Sequence, residues 1–154
     1  MKDDTKVEFQ SGQKTAKAAA AILVAKKVGF MVPTGKQRQN LLIAFAKQGK
    51  VVYGKAFDVI KLPRRMDLDD LAKIEKHLDQ IKVFEIKSTR KKLRSNFSGY
   101  FFALTAAEML VAQSLKKQFG FVLVNTGTGE YLETSLSEIF ARAKGIYPTW
   151  SICF

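Results

Sequence analysis

Glu85 and Lys87 stand two residues apart in Phe84-Glu85-Ile86-Lys87-Ser88-Thr89, with Phe57-Asp58-Val59-Ile60 upstream. Both runs are apolar and β-prone, and residues two apart in a strand share a face, roughly 7 Å from one another. Glu85 and Lys87 are therefore expected to project side by side, while Phe84 and Ile86 turn into the core. Carboxylates can hold a hard divalent cation through oxygen. A neighbouring ammonium can steady an attacking water or the charge developing on a phosphate. The chemistry these residue types suit is metal-assisted hydrolysis of a phosphodiester. The same acid-x-lysine spacing recurs at Asp4-Thr5-Lys6, so spacing alone decides little. The strand setting and the upstream Asp58 set Glu85-Ile86-Lys87 apart. The plainer alternative is an exposed ion pair on an amphipathic strand.

Other candidates carry less. Asp67, Asp69 and Asp70 read as first-turn acids favoured by a helix dipole. Glu108 and Glu138 read as partners in capping boxes. With His77 the only histidine and Cys153 the only cysteine, zinc sites, Cys/His nucleophiles and an internal disulfide framework are excluded. No Gly-x-x-x-x-Gly-Lys loop occurs, which excludes nucleotide hydrolysis by that route.

Those residues need elements to position them. Residues 1–12 are polar and expected to form a mobile arm, and residues 13–154 a single domain. A helix is expected from Gln13 to Lys27, and a second through Lys47, opened by the capping box Thr34-Gly35-Lys36-Gln37. Val51 to Leu62 has strand character and carries Asp58. Asp67 is expected to cap an amphipathic helix striped by Leu68, Leu71, Ile74 and Leu78. Strands follow over Ile81 to Thr89, Tyr100 to Leu104 and Phe121 to Asn125. Thr105-Ala106-Ala107-Glu108 and Ser135-Leu136-Ser137-Glu138 open two further helices. The hydrophobic tail from Tyr147 to Phe154 is expected to finish the core or form a subunit contact. Strands and helices mixed in one small domain give an α/β or α+β mixed sheet.

Phe57-Asp58-Val59, Glu85-Ile86-Lys87-Ser88-Thr89 and the stretch from Phe101 to Glu108 together resemble the PD-(D/E)xK, or restriction-endonuclease-like, nuclease superfamily over roughly residues 35–125. The resemblance implies a core of helix, three strands, helix and strand, with the Asp67–Gln80 helix inserted between the catalytic strands. It implies a Mg²⁺-dependent DNA endonuclease, with Mn²⁺ able to substitute. Asp58 and Glu85 would be metal ligands, and Lys87 would assist the attacking water. Many members carry a glutamate on the first helix. Gln37-Arg38-Gln39-Asn40 has none, so Gln39, or after it Glu8 from the arm, is expected in that place. Restriction or homing cleavage by a homodimer or larger homo-oligomer is the leading expectation. A Holliday-junction-resolvase-type nuclease and a non-catalytic basic DNA- or RNA-binding module are the alternatives.

Charge supports a polyanionic partner. The 154 residues carry 26 Lys and Arg against 14 Asp and Glu, a formal net charge of +12. From Phe9 to Phe57 there are nine basic residues and no acid, whereas from Glu108 onward the two signs balance at four each. Binding through phosphates follows, with the salt dependence that entails. Arg90, Lys91, Lys92 and Arg94 come directly after the Glu85–Lys87 strand and suit phosphate clamping. Lys61, Arg64 and Arg65 are expected to grip the same DNA duplex from the other side of the hairpin. No long apolar span and no signal peptide is evident. A cytoplasmic or nucleoid-associated, non-secreted, non-membrane protein is expected.

Overall fold

The computed structural model describes residues 4–148 together with Ile152 and Phe154, and side chains from Lys14 onward. The elements run α1 (Asp4–Ala25), β1 (Phe30–Met31), α2 (Gly35–Lys47), β2 (Val59–Lys61), α3 (Leu71–Lys76), β3 (Lys82–Thr89), α4 (Ala106–Leu115), β4 (Phe119–Asn125), β5 (Tyr131–Thr134) and α5 (Leu136–Arg142). Among the described residues no helix is long and apolar enough to cross a membrane.

The strands form one mixed sheet in the order β1-β2-β3-β4-β5. β1, β2 and β3 pair antiparallel, β3 and β4 pair parallel across α4, and β5 returns antiparallel to β4. β4 is buried at all seven positions, Phe119 to Asn125, as a strand covered on both faces must be. One face packs under α1: Ala19, Ala20 and Leu23 meet Phe30, Val59, Phe84, Ile86, Val122 and Val124. The other packs under α2, α3 and α4, where Leu41, Phe45, Ile74, Val111 and Leu115 meet Ile60, Val83, Phe119 and Phe121. The strict alternation of Phe84 and Ile86 against Val83 is the pleat sorting side chains to the two layers.

Local capping explains three of the helix starts. Thr34, Thr105 and Ser135 each accept the N–H of the residue three further on, and Gln37, Glu108 and Glu138 reach back to the cap. α3 differs from expectation. Its cap is Asp70, which accepts from the Ala72 and Lys73 N–H groups. Asp67 instead takes the Asp69 N–H at 3.1 Å and the Lys73 ammonium at 3.0 Å.

Four other expectations are corrected. α1 begins at Asp4, ahead of Gln13, and ends at Ala25, short of Lys27. Within Val51 to Leu62 only Val59–Lys61 is strand, because the carbonyls of Gly54 and Phe57 are taken by Arg38 (2.9 and 2.5 Å) and not by a neighbouring strand. Tyr100 to Leu104 is not strand: the Tyr100 hydroxyl bonds the Ser88 carbonyl and its ring packs beside Phe97 and Phe102. The described residues of the tail do not finish the core, since Tyr147, Ile152 and Phe154 are exposed. Trp150 and Cys153 lie outside the described residues.

Candidate active site

The β2–β3 register sets Val59 opposite Phe84 and Ile60 opposite Val83. That pairing ends at Val59, and Asp58 steps out of its register. The Asp58 N–H donates to the Phe84 carbonyl at 2.8 Å, and Asp58 Oδ2 accepts the Ile86 N–H at 2.9 Å. Asp58 thus sits where the hairpin pairing ends, its carboxylate held by the β3 backbone and near enough to act electrostatically on Glu85. Lys87 shares a face with Glu85, its Nζ 3.4 Å from Glu85 Oε1.

Lys87 is held mainly by another residue. Both Glu108 oxygens accept from its ammonium at 2.9 Å. Glu108 is the N3 residue of the α4 capping box: its Oε2 also accepts the Thr105 N–H at 3.0 Å, and its own N–H donates to Thr105 Oγ1 at 3.1 Å. The capping reading of Glu108 is therefore incomplete. The same carboxylate closes the helix and clamps the lysine, and the side chains of Lys87, Glu85 and Glu108 are only 14, 13 and 8 % exposed. Nothing in the Thr-x-x-Glu pattern distinguishes a cap that does both jobs, since the lysine is distant in sequence.

This arrangement leaves Glu85 electrostatically undersatisfied. Its Oε2 is buried with no hydrogen-bond partner. Burial, the charge of Asp58, and the charge of Glu108 with its hydrogen bond to the protonated carboxyl push its pKa from 4.5 up to about 9, and Lys87 only partly offsets them. At neutral pH the carboxyl holds a proton where a cation could sit. Among the described residues no group of three or more His, Cys, Asp or Glu side chains is set to share a metal. The donor set is two carboxylates, the third acid being committed to Lys87.

The position next to the expected Gln39 is the one that reaches the site. Gln39 is exposed on α2, whereas Arg38 turns inward. Its guanidinium bonds the Gly54 and Phe57 carbonyls, stacks on the Phe57 ring at 4.4 Å and approaches the Asp58 carbonyl at 3.5 Å. Burial lowers the Arg38 pKa, while Asp58 and then Glu85 oppose that shift. The first helix of the expected motif therefore brings a cation where Gln39 was expected as a neutral ligand. The Glu8 side chain lies outside the described residues.

The two expected DNA-gripping groups are separated. Arg90, Lys91, Lys92 and Arg94 lie on the loop leaving the Lys87 end of β3. Asn125 Nδ2 donates to the Lys91 carbonyl at 2.9 Å, and the Lys91 N–H donates to Thr89 Oγ1 at 3.1 Å. The Tyr100 hydroxyl donates to the Ser88 carbonyl at 2.7 Å, and burial raises its pKa to about 12. Lys61, Arg64 and Arg65 lie at the other end of the hairpin. Lys61 pairs with Lys82 across the sheet and rests over Phe30 at 4.9 Å, on the α1 side; it is also ion-paired to Glu133.

No family model matches the chain, and no curated protein or solved structure matches it.

Proposed function

We propose that the protein is a divalent-metal-dependent DNA endonuclease of the PD-(D/E)xK type. The observation that carries this is Glu85 Oε2 buried without a partner, with Lys87 beside it and the Asp58 carboxylate near enough to act on it. Buried polar atoms are ordinarily paired, so an orphan among acids points to a missing cation. Asp58 and Glu85 would hold Mg²⁺, which takes one or two protein carboxylates and keeps several waters. Bound there, the ion supplies Lewis-acid charge to the scissile phosphate. Lys87, fixed by Glu108, orients the attacking water and offsets charge on the phosphate oxygens. Arg90, Lys91, Lys92 and Arg94 hold the flanking DNA backbone.

The chain order supports the reading at the level of fold alone. The expected leading helix, α2, is followed by only two strands before α4; taking α1 in its place, α1-β1-β2-β3-α4-β4 reads helix, three strands, helix, strand. α2 and α3 are then insertions, Asp58 sits at the head of the second strand and Glu85-Ile86-Lys87 lies on the third. One such site cuts one strand, so double-strand cleavage would take a homodimer.

Nicking of supercoiled plasmid tests the proposal. Wild type should nick with Mg²⁺ or Mn²⁺ and not with EDTA. Glu85→Ala, Lys87→Ala and Asp58→Asn should each lose about 100-fold or more while still binding DNA. Wild-type rates in Glu85→Ala would sink it. The double clamp of Lys87 by Glu108 favours one rival, a basic DNA- or RNA-binding module in which the ion network is structural. In that case DNA binds, but Mg²⁺ produces neither cutting nor a rise in Tm.

A further inference from the structure

A second cationic site lies away from the Asp58–Glu85–Lys87 cluster. It is a groove of about 1150 Å³ between the turn after α1, the segment after β2 and the start of β3. Five cations line it: Lys27, Lys61, Arg64, Arg65 and Lys82. Its acids are already engaged. Asp67 bonds Lys73, and Asp69 accepts from Gln37 Nε2 at 3.3 Å. Lys61 is neutralised by Glu133. Lys27, Arg64 and Arg65 are exposed and, among the described residues, have no carboxylate partner.

The groove is built into the backbone. Gly29, at φ +99°, forms its wall, and a Cβ there would lie 2.4 Å from the Leu62 carbonyl oxygen. The Leu62 N–H donates back to the Gly29 carbonyl at 3.0 Å. The two chain passages are thus locked together with no room for a side chain, so the groove does not need a ligand to form.

Its lining cations stand apart from the cluster. Lys61 and Lys82 pair three residues along β2 and β3 from Asp58 and Glu85, about 10 Å at strand rise. Their side chains lie over Phe30 and Phe84 on the α1 face. Glu85 and Lys87 point to the opposite face.

We propose that this groove binds single-stranded nucleic acid, separately from the candidate active site. Unpaired cations in a concave channel attract a phosphate chain. The adjacent guanidinium planes of Arg64 and Arg65 can stack on bases, and partly or fully exposed Val28, Met31 and Met66 offer apolar contact to unstacked bases. A duplex presents no free base faces, so a single strand is the better complement. The proposal does not depend on cleavage.

Fluorescence anisotropy with a labelled oligothymidine, in EDTA, tests it. Arg64→Glu/Arg65→Glu should weaken oligothymidine binding at least tenfold. The milder Arg64→Gln/Arg65→Gln should lower the salt slope by about 1.4, two contacts at about 0.7 each. Neutralising Arg90, Lys91, Lys92 and Arg94 should cost duplex affinity more than oligothymidine affinity. Unchanged oligothymidine binding in both arginine variants overturns the proposal, as does a loss for duplex equal to that for the single strand.

Discussion

Glu108 carries two loads that substitution can separate. Glu108→Gln keeps an oxygen for the Thr105 N–H but removes the anion facing Lys87. The charge of Glu108 helps raise Glu85, and Lys87 is then free to turn to Glu85. The Glu85 pKa should fall from about 9 toward the ordinary carboxylate range, which carbon-13 NMR of the side-chain carboxyl reads directly. Thr105→Ala removes the cap hydroxyl and should cost about 1 kcal/mol in denaturant unfolding, leaving the Glu85 pKa in place. If the two variants move Glu85 equally, the lysine clamp is a by-product of helix capping.

At the scale of elements, β3 and β4 are fitted by one large and one absent side chain. Phe84 pairs with Gly120 across the parallel ladder, and a Cβ on Gly120 would lie 2.6 Å from Phe84 Cε1. The ring is fully buried and meets Phe30 edge-on at 5.5 Å, so it cannot simply swing away. Gly120→Ala should cost about 1–3 kcal/mol by overpacking. Phe84→Leu in the same background should recover part of that loss, and the non-additivity of the cycle in urea unfolding measures the contact. Because β3 carries Glu85 and Lys87 on its other face, Gly120→Ala should also disturb the site without touching it.

For the whole molecule, Glu85 makes stability depend on pH. Its pKa is about 9 in the folded chain against 4.5 for a free glutamate side chain, so between those values the native state holds a proton that the unfolded chain has released. Stability should be highest below about pH 4.5 as far as this group is concerned, and fall as pH rises toward about 9. Glu85→Gln should flatten that decline. Under the proposed function a divalent cation replaces the proton, so the Tm increase on adding Mg²⁺ should grow with pH; scans from about pH 6 to 9 with Mg²⁺ or EDTA check both statements. A flat wild-type profile would mean that Glu85 is ionised throughout. Neutralising Arg90, Lys91, Lys92 and Arg94 should reduce the salt slope of duplex binding by about 3–4, at about 0.9 per phosphate contact.

What the sequence determined is local. Thr34, Thr105 and Ser135 start their helices because a side-chain oxygen and a glutamate or glutamine three residues on satisfy N–H groups that no other residue can reach. The alternation around Glu85 and Lys87 assigned their common face, since the pleat of a strand needs only its own residues. Partnerships were decided by the tertiary structure. Tyr100 to Leu104 has strand-forming residues but joins no edge of the sheet, while Phe30–Met31 and Tyr131–Thr134 become strands beside β2 and β4. Arg38 rather than Gln39 reaches Asp58, since the roll of α2 over α3 sets which side turns inward. Glu108 meets Lys87 because α4 packs on β4 beside β3, a contact across 21 residues of chain that no pattern in either segment encodes.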